Sequence, residues 1–337
     1  MKKILVTGGA GYIGSHTIVE LLELGYDVIS VDNYLNSSST TYERIQSITG
    51  RAVEFYDIDL SNEADTLDFF KDLRVDAVIH FAALKSVPES VDVPLSYYKN
   101  NLNSLLHVIE GMKENKIKHL IFSSSCSVYG NPEKLPVTED TPFGEAESPY
   151  ARSKQMGEHI LKDYCKSAPD FKALSLRYFN PAGAHSSIKI GEAQSERPNN
   201  LVPIITQTAA GIRKEMTVFG TDYATRDGSC IRDYIHVSDI AIAHVKGLEY
   251  LLNIKKEENY QVINLGSGIG TTVLEMLHSF EKVSGQKLNY NLGERRAGDV
   301  SSIYANNNKA KSLLNWEGKR SLDDILASAW EWQKKLL

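Results

Sequence analysis

Apolar residues along the first half of the chain come in short solid blocks, and between the blocks they recur every three or four positions. Lys3-Ile4-Leu5-Val6-Thr7 reads as a strand, and Ile13, Thr17, Val19, Leu21, Leu22 and Leu24 then follow a helical period that Gly25 closes. Residues 28–31 form a second apolar block. The polar run 36–41 reads as a loop, followed by a helix near 42–48, a strand at 52–56, a helix near 64–73 and a strand at 77–80. A longer helix near 96–115 leads into a strand at 120–125, and Ala173 to Arg177 form another. This unbroken alternation, without repeats or low-complexity segments, predicts an α/β fold built on a doubly wound parallel sheet. Around residues 180–200 the period weakens, as in a smaller lobe made of loops, and a helix from Val237-Ser238-Asp239 carries Ile240, Val245, Leu248 and Leu251 on its core stripe.

Bulk numbers narrow the picture. The 337 residues carry a formal charge of -6, which argues against nucleic-acid and anionic-membrane partners but leaves room for a basic pocket around a phosphorylated ligand. Cys126, Cys165 and Cys230 are scattered, with no spacing that suggests zinc or another metal. The expectation is a soluble, cytoplasmic protein, since the chain enters a strand at once and no apolar run reaches membrane-spanning length. Trp316, Trp330 and Trp332 are expected to pack the C-terminal segments, and His80, His107 and His236 lack partner spacing for metal or acid-base work.

The first strand runs into Gly8-Gly9-Ala10-Gly11-Tyr12-Ile13-Gly14 and then a helix. Strand, glycine turn and helix in that order let backbone N–H groups approach a pyrophosphate at a helix N-terminus, the hallmark of a Rossmann dinucleotide site. Asp32 ends the second strand, where a carboxylate binds the adenosine ribose hydroxyls and repels a 2'-phosphate. With no arginine in the Asn33 to Asn36 stretch, this favours NAD over NADP, and Asn33, Asn36 and Ser37 join Asp32 as cofactor candidates. Asp59 and Leu60 follow the third strand as candidates to sit against the adenine, with a simple strand-end aspartate the equal alternative, and the small residues of Phe81-Ala82-Ala83-Leu84-Lys85 suit a crevice wall. Leu265-Gly266-Ser267-Gly268-Ile269-Gly270 imitates a second such turn but lacks the following acidic residue, so it is read as a tight turn.

Ser148-Pro149-Tyr150-Ala151-Arg152-Ser153-Lys154 reads as a helix start, with Ser148 as cap and Pro149 at the first helical position. Tyr150 and Lys154 then share one face. A tyrosine serves as a base near neutrality only if its phenolate is stabilised by roughly 3 pKa units, about 4 kcal/mol. A neighbouring ammonium and a cationic nicotinamide are groups that do this.

The combination of TGGAGYIGSH, Asp32, SSSCSVYG and the YxxxK helix resembles the extended short-chain dehydrogenase/reductase family. HFAALKSVPES, RYFNPAGAH, PNNLVP, IRDYIHVSD and RRAGD extend the resemblance over nearly the whole chain, and point to its UDP-hexose 4-epimerase branch. The resemblance implies Tyr150 as general base, Ser125 as its partner on the sugar O4, and Lys154 as the group that binds the nicotinamide ribose and tunes Tyr150. It implies oxidation of a hexose C4 alcohol, rotation of the 4-keto sugar and re-reduction from the other face, interconverting UDP-glucose and UDP-galactose. NAD would be tightly held, with Tyr12, Ile13, Phe81, Lys85, Asn100 and Phe179 among its further contacts. Asn180, Asn200, Leu201, Thr217, Val218, Phe219, Arg232, Arg296, Asp299 and Ile303 would hold the UDP-hexose. By the same resemblance, residues 1–178 would form the NAD-binding domain and 179–337 the UDP-sugar lobe, with some segments returning to the main domain, and the protein would be a homodimer.

The chain departs from the family pattern at Ala83, at Pro88-Glu89-Ser90, at residues 193–197, and at Ile303, a gate position beside the hexose 2-substituent that a tyrosine fills in enzymes restricted to plain hexoses. Ile303 therefore opens the expectation of weak turnover of UDP-N-acetylglucosamine. A dehydratase of the same fold would need an acid/base carboxylate pair beside Ser125, where Cys126 and Ser127 stand. A dehydrogenase that releases its reduced cofactor, and a cofactor-binding module without chemistry, are the remaining alternatives; the second conflicts with the intact Tyr150 and Lys154.

Overall fold

A computed structural model describes residues 2–193, 198, 200–253, 258–296 and 299–337. The chain alternates β1 (Lys3–Thr7), α1 (Tyr12–Glu23), β2 (Asp27–Asp32), α2 (Thr40–Thr49), β3 (Glu54–Asp57), α3 (Glu63–Phe70) and β4 (Ala77–His80). It continues with α4 (Val87–Asp92), α5 (Pro94–Glu114), β5 (His119–Ser125), α6 (Pro149–Ser167) and β6 (Lys172–Tyr178). These six strands and Tyr260–Leu265 make one seven-stranded sheet, in the order Tyr260–Leu265, β6, β5, β4, β1, β2, β3. Every pairing in it is parallel. The winding reverses between β1 and β4, and that reversal opens a crevice at the C-terminal ends of the strands.

Strand periodicity explains the layers. Ile4 and Val6 face a core shared with α1, α2 and the helix Val237–Asn253, whereas Leu5 faces a second core shared with α3, α5 and α6. Ile240, Val245, Leu248 and Leu251 are buried in the first of these, as their spacing predicts. A third core gathers Val202, Ile205, Met216, Val218, Met276, Phe280, Ile325 and Leu326, from the helices Leu201–Ala209, Val273–Ser284 and Leu322–Lys335 and the strand Met216–Phe219. Trp316 and Trp332 are buried, donating to the carbonyls of Asp239 and Glu192, and Trp330 packs edge-on against Phe280. No helix among the described residues is long and apolar enough to cross a membrane.

Pro88, Glu89 and Ser90 lie in the short helix α4, which the sequence pattern did not reveal. Ser86 caps it, and Tyr97 donates to the Glu89 carboxylate at 2.6 Å, so local side chains rather than apolar period define the element. Residues 194–197, one of the departures noted above, lie outside the described residues.

His16, His80, His236 and His244 are buried, and burial drives their pKa values down to about 3, 3, 4 and 4. The unfolded chain, with histidines near 6.5, therefore binds more protons between about pH 4 and 6.5, and stability falls as pH falls through that window. Each histidine contributes at most about 1.4 kcal/mol per pH unit. Glu20, pushed up to about 7 by burial, and Asp233, raised for the same reason, act in the opposite direction. A net drop in urea midpoint between pH 6.5 and 5 is expected; a midpoint that rises over this interval would contradict it.

Candidate active site

The site begins with a helix cap. Ser148 accepts the N–H of Ala151 at 3.1 Å and Pro149 opens α6, so Tyr150 and Lys154 leave the first turns on one face. That face meets the end of β5. The Tyr150 hydroxyl hydrogen-bonds Ser125, and Lys154 Nζ donates to the Ser123 carbonyl at 2.7 Å. The ammonium lies 4.9 Å from the Phe122 ring centre and 5.8 Å from that of Tyr150. The Ser, Tyr and Lys picked out in sequence are thus brought together.

Their electrostatics differ from the expectation that Lys154 lowers the Tyr150 pKa. Burial pushes Tyr150 up to about 12, with only the Ser125 hydrogen bond pulling it back. Burial also brings Lys154 down to about 7, against the pull of Glu158. Desolvation dominates both groups, so in the protein alone the lysine is a weak source of positive charge for the phenolate.

A buried polar network stands behind the pair. Ser124 donates to Glu158 at 2.5 Å, and Arg177 of β6 grips the same carboxylate through Nε and a terminal nitrogen at 2.9 and 2.7 Å. Arg177 continues to the Tyr129 hydroxyl, which donates to Asn264 at 2.6 Å. The network joins β5, α6 and β6 immediately beside Ser125, Tyr150 and Lys154.

At the switch point, Gly8 has φ +68° and a Cβ there would stand 2.8 Å from the backbone nitrogen of Ala82. A Cβ on Gly14 would meet the Gly8 carbonyl oxygen at 2.3 Å, and Gly11 donates to that oxygen at 3.2 Å. The cradle therefore requires glycine, and it presents the N-terminus of α1, with Tyr12 and Ile13 in its first turn, to the crevice. Asp32 lies under it, accepting Ala10 N–H at 3.0 Å, Tyr34 N–H at 3.0 Å and Ser37 hydroxyl at 2.8 Å. Spare lone pairs on its carboxylate suit ribose hydroxyls, so cradle and carboxylate together fit a dinucleotide lacking a 2'-phosphate. Asn33 and Asn36 are exposed beside it. Asp59 is exposed and accepts from Ser61 at the entry to α3, whereas Leu60 is buried in the core. Phe81, Ala82 and Ala83 are half-buried after β4, and Lys85 is exposed, 3.8 Å from Glu192. Asn100 is half-buried on α5.

The neighbouring Asn101 escaped the sequence reading, although it clamps this loop. Its amide accepts Leu84 N–H at 2.8 Å and donates to the Leu84 carbonyl and to Ser153. No local pattern distinguishes it from Asn100; the contact with Ser153 spans two helices.

On the opposite side, Asn180 starts the strand Asn180–Ala182, which pairs with Tyr234–His236. Arg232 and Ile303 are register partners, and Ile303 is buried with Val128, Phe179 and Ala305. Arg232 and Arg296 both reach Asp299, at 3.5 and 3.0 Å, and the Arg296 guanidinium lies 6.0 Å from the Phe219 ring. Thr217 is half-buried and Val218 fully buried beside Phe219. Asn200 precedes the helix that Leu201 opens and donates to Glu192 at 2.7 Å. Asp233, also missed in sequence, is fully buried and accepts from Ser267, Gly268 and Ala305, tying the 265–270 turn to the segment that bears Ile303.

Fold and site define a dinucleotide-dependent enzyme of the extended short-chain dehydrogenase/reductase class. A family model described as GDP-mannose 4,6 dehydratase matches residues 5–329. The UDP-glucose 4-epimerase of Bacillus subtilis (strain 168) is 48% identical, over 98% of this chain and 96% of its own length. The crystal structure of UDP-glucose 4-epimerase from Bifidobacterium longum in complex with NAD+ and UDP is similar with a TM-score of 0.94 at 47% identity, covering 99% of this chain and 98% of that one. The UDP-Glc/GlcNAc 4-epimerase from Campylobacter jejuni gives a TM-score of 0.86 at 38% identity, covering 99% of this chain and 100% of the other. The chain belongs to the UDP-glucose 4-epimerase family.

Proposed function

We propose that the protein interconverts UDP-glucose and UDP-galactose at the hexose C4, using NAD as a resident cofactor. The observation that carries this reading is the Tyr150 hydroxyl on Ser125, with Lys154 one turn away, beside a glycine cradle at the sheet's switch point. NAD, when bound, supplies the redox equivalents for C4 and, in its oxidised form, a positive charge beside Tyr150. Tyr150 takes the C4 hydroxyl proton and later returns it, and Ser125 orients that oxygen. Lys154 holds the ribose of the cofactor, and Asp32 its adenosine end. Arg232 and Arg296 grip the diphosphate, which suits guanidinium forks, so the hexose can present either face while its nucleotide stays anchored.

Ile303 supports a second activity, weak epimerisation of UDP-N-acetylglucosamine, because a buried aliphatic side chain opposite Arg232 lacks the ring and hydroxyl of a tyrosine. Dehydration is disfavoured: burial pushes the Cys126 thiol up to about 12, and Ser127 has no acidity to offer. We further assign residues 1–178 to cofactor binding and 179–337 to the sugar-nucleotide lobe, with the helix Val237–Asn253 and the strand Tyr260–Leu265 returning to the main domain, a cytoplasmic location that suits three free cysteines, and a homodimer. Leu95 and Leu106 of α5 and Met156 of α6, exposed on packed helices, support the dimer.

Purified protein incubated with UDP-galactose and no added NAD is expected to yield UDP-glucose on chromatography. Unchanged stereochemistry in cofactor-replete protein would end the proposal, and no conversion of UDP-N-acetylglucosamine at millimolar concentration would end the second activity.

A further inference from the structure

A second chain of hydrogen bonds, which the chemistry above does not use, leads away from the catalytic set. Lys154 Nζ holds the Ser123 carbonyl at 2.7 Å, and the Ser123 side chain hydrogen-bonds Tyr178. The Tyr178 hydroxyl is 2.6 Å from His244 Nε2, and His244 Nδ1 is 2.8 Å from the Ile240 carbonyl oxygen one turn back on its own helix. A carbonyl only accepts, so Nδ1 carries the proton and Nε2 of the neutral ring accepts from Tyr178. That orders the whole chain: the Ser123 hydroxyl donates to Tyr178, and Tyr178 donates to His244.

Position gives the chain its meaning. Tyr178 is the register partner of Ser125 on the adjoining strand. Whatever fixes Tyr178 therefore fixes the strand end that carries Ser125 and, through Ser123, the carbonyl that receives Lys154. His244 is fully buried, and its ring centre also lies 4.7 Å from that of Phe81 in the loop after β4. An aliphatic residue would fill this space without the cost of burying an imidazole, as Val245 and Leu248 do on the same helix. The imidazole adds one thing those side chains lack, a directed acceptor for Tyr178.

We propose that His244 is a positioning residue for the Ser125, Tyr150 and Lys154 set, acting through Tyr178 and Ser123. The inference rests on the epimerase reading, and wild-type turnover of UDP-galactose tests that reading separately. In cofactor-loaded protein, His244→Leu is expected to lower kcat by about 10- to 100-fold with KM within about twofold, the size of effect that small misplacement of reacting groups produces. His244→Gln, whose side chain can still accept from Tyr178, is expected to recover most of that loss, whereas His244→Asn, which is too short to reach, is not. Wild-type kcat in His244→Leu, or equal impairment in the Leu and Gln variants, would overturn the assignment while leaving the epimerase reading intact. Should His244→Leu not fold, Tyr178→Phe keeps the ring and removes the hydroxyl; the same fall in kcat is expected, and an unchanged kcat would refute the proposal.

Discussion

Tyr150→Phe is expected to retain the fold and bound NAD while losing about 10²- to 10⁴-fold in turnover of UDP-galactose, the usual worth of general-base assistance. The phenylalanine ring keeps the packing at the start of α6, and only the hydroxyl on Ser125 is lost. The loss should appear in kcat and kcat/KM together, because the proton is taken in the transition state rather than in the bound ground state. Steady-state rates, with cofactor content checked by absorbance after gel filtration, measure it. Near-wild-type turnover would remove Tyr150 from the chemistry. Burial raises Tyr150 to about 12 and lowers Lys154 to about 7, so a further positive charge beside the hydroxyl favours its ionised form.

Arg177→Met is expected to cost about 3–5 kcal/mol of stability, since it leaves the Glu158 carboxylate buried without its charged partner. The side chains of Arg177 and Glu158 are 5% and 3% exposed, so solvent screens neither. Arg177→Met combined with Glu158→Leu should recover much of the loss, because replacing both members of a buried pair by apolar groups is far milder than orphaning one. Urea midpoints of the single and double variants decide the matter. A double variant as unstable as Arg177→Met alone would show that the cost lies in packing around Tyr129 and Phe143, over whose rings the guanidinium sits, rather than in the unpaired charge.

Much of this molecule is local in origin, and that part was legible. The strands β1 and β4 have the bounds that their apolar runs predict, and Ser148 and Pro149 start α6 where capping chemistry places the helix. The glycine turn, Asp32 and the Tyr150/Lys154 spacing are each set within a few residues, by backbone conformation or helical pitch, so their residue types alone disclose them. Asn101 and Asp233 were not legible, because what distinguishes them is a partner elsewhere in the chain: Ser153 for one, Ser267 and Ala305 for the other.

The amino-acid order by itself determined the α/β alternation, the glycine turn after β1 and the shared helix face of Tyr150 and Lys154, because these depend on neighbours in the chain. Only the tertiary structure decided that Lys154 and Tyr150 are shifted by burial rather than by each other, and that Tyr178 stands opposite Ser125 with His244 behind it. Desolvation and strand register depend on what distant segments pack against a group, and no local pattern of residues carries that information.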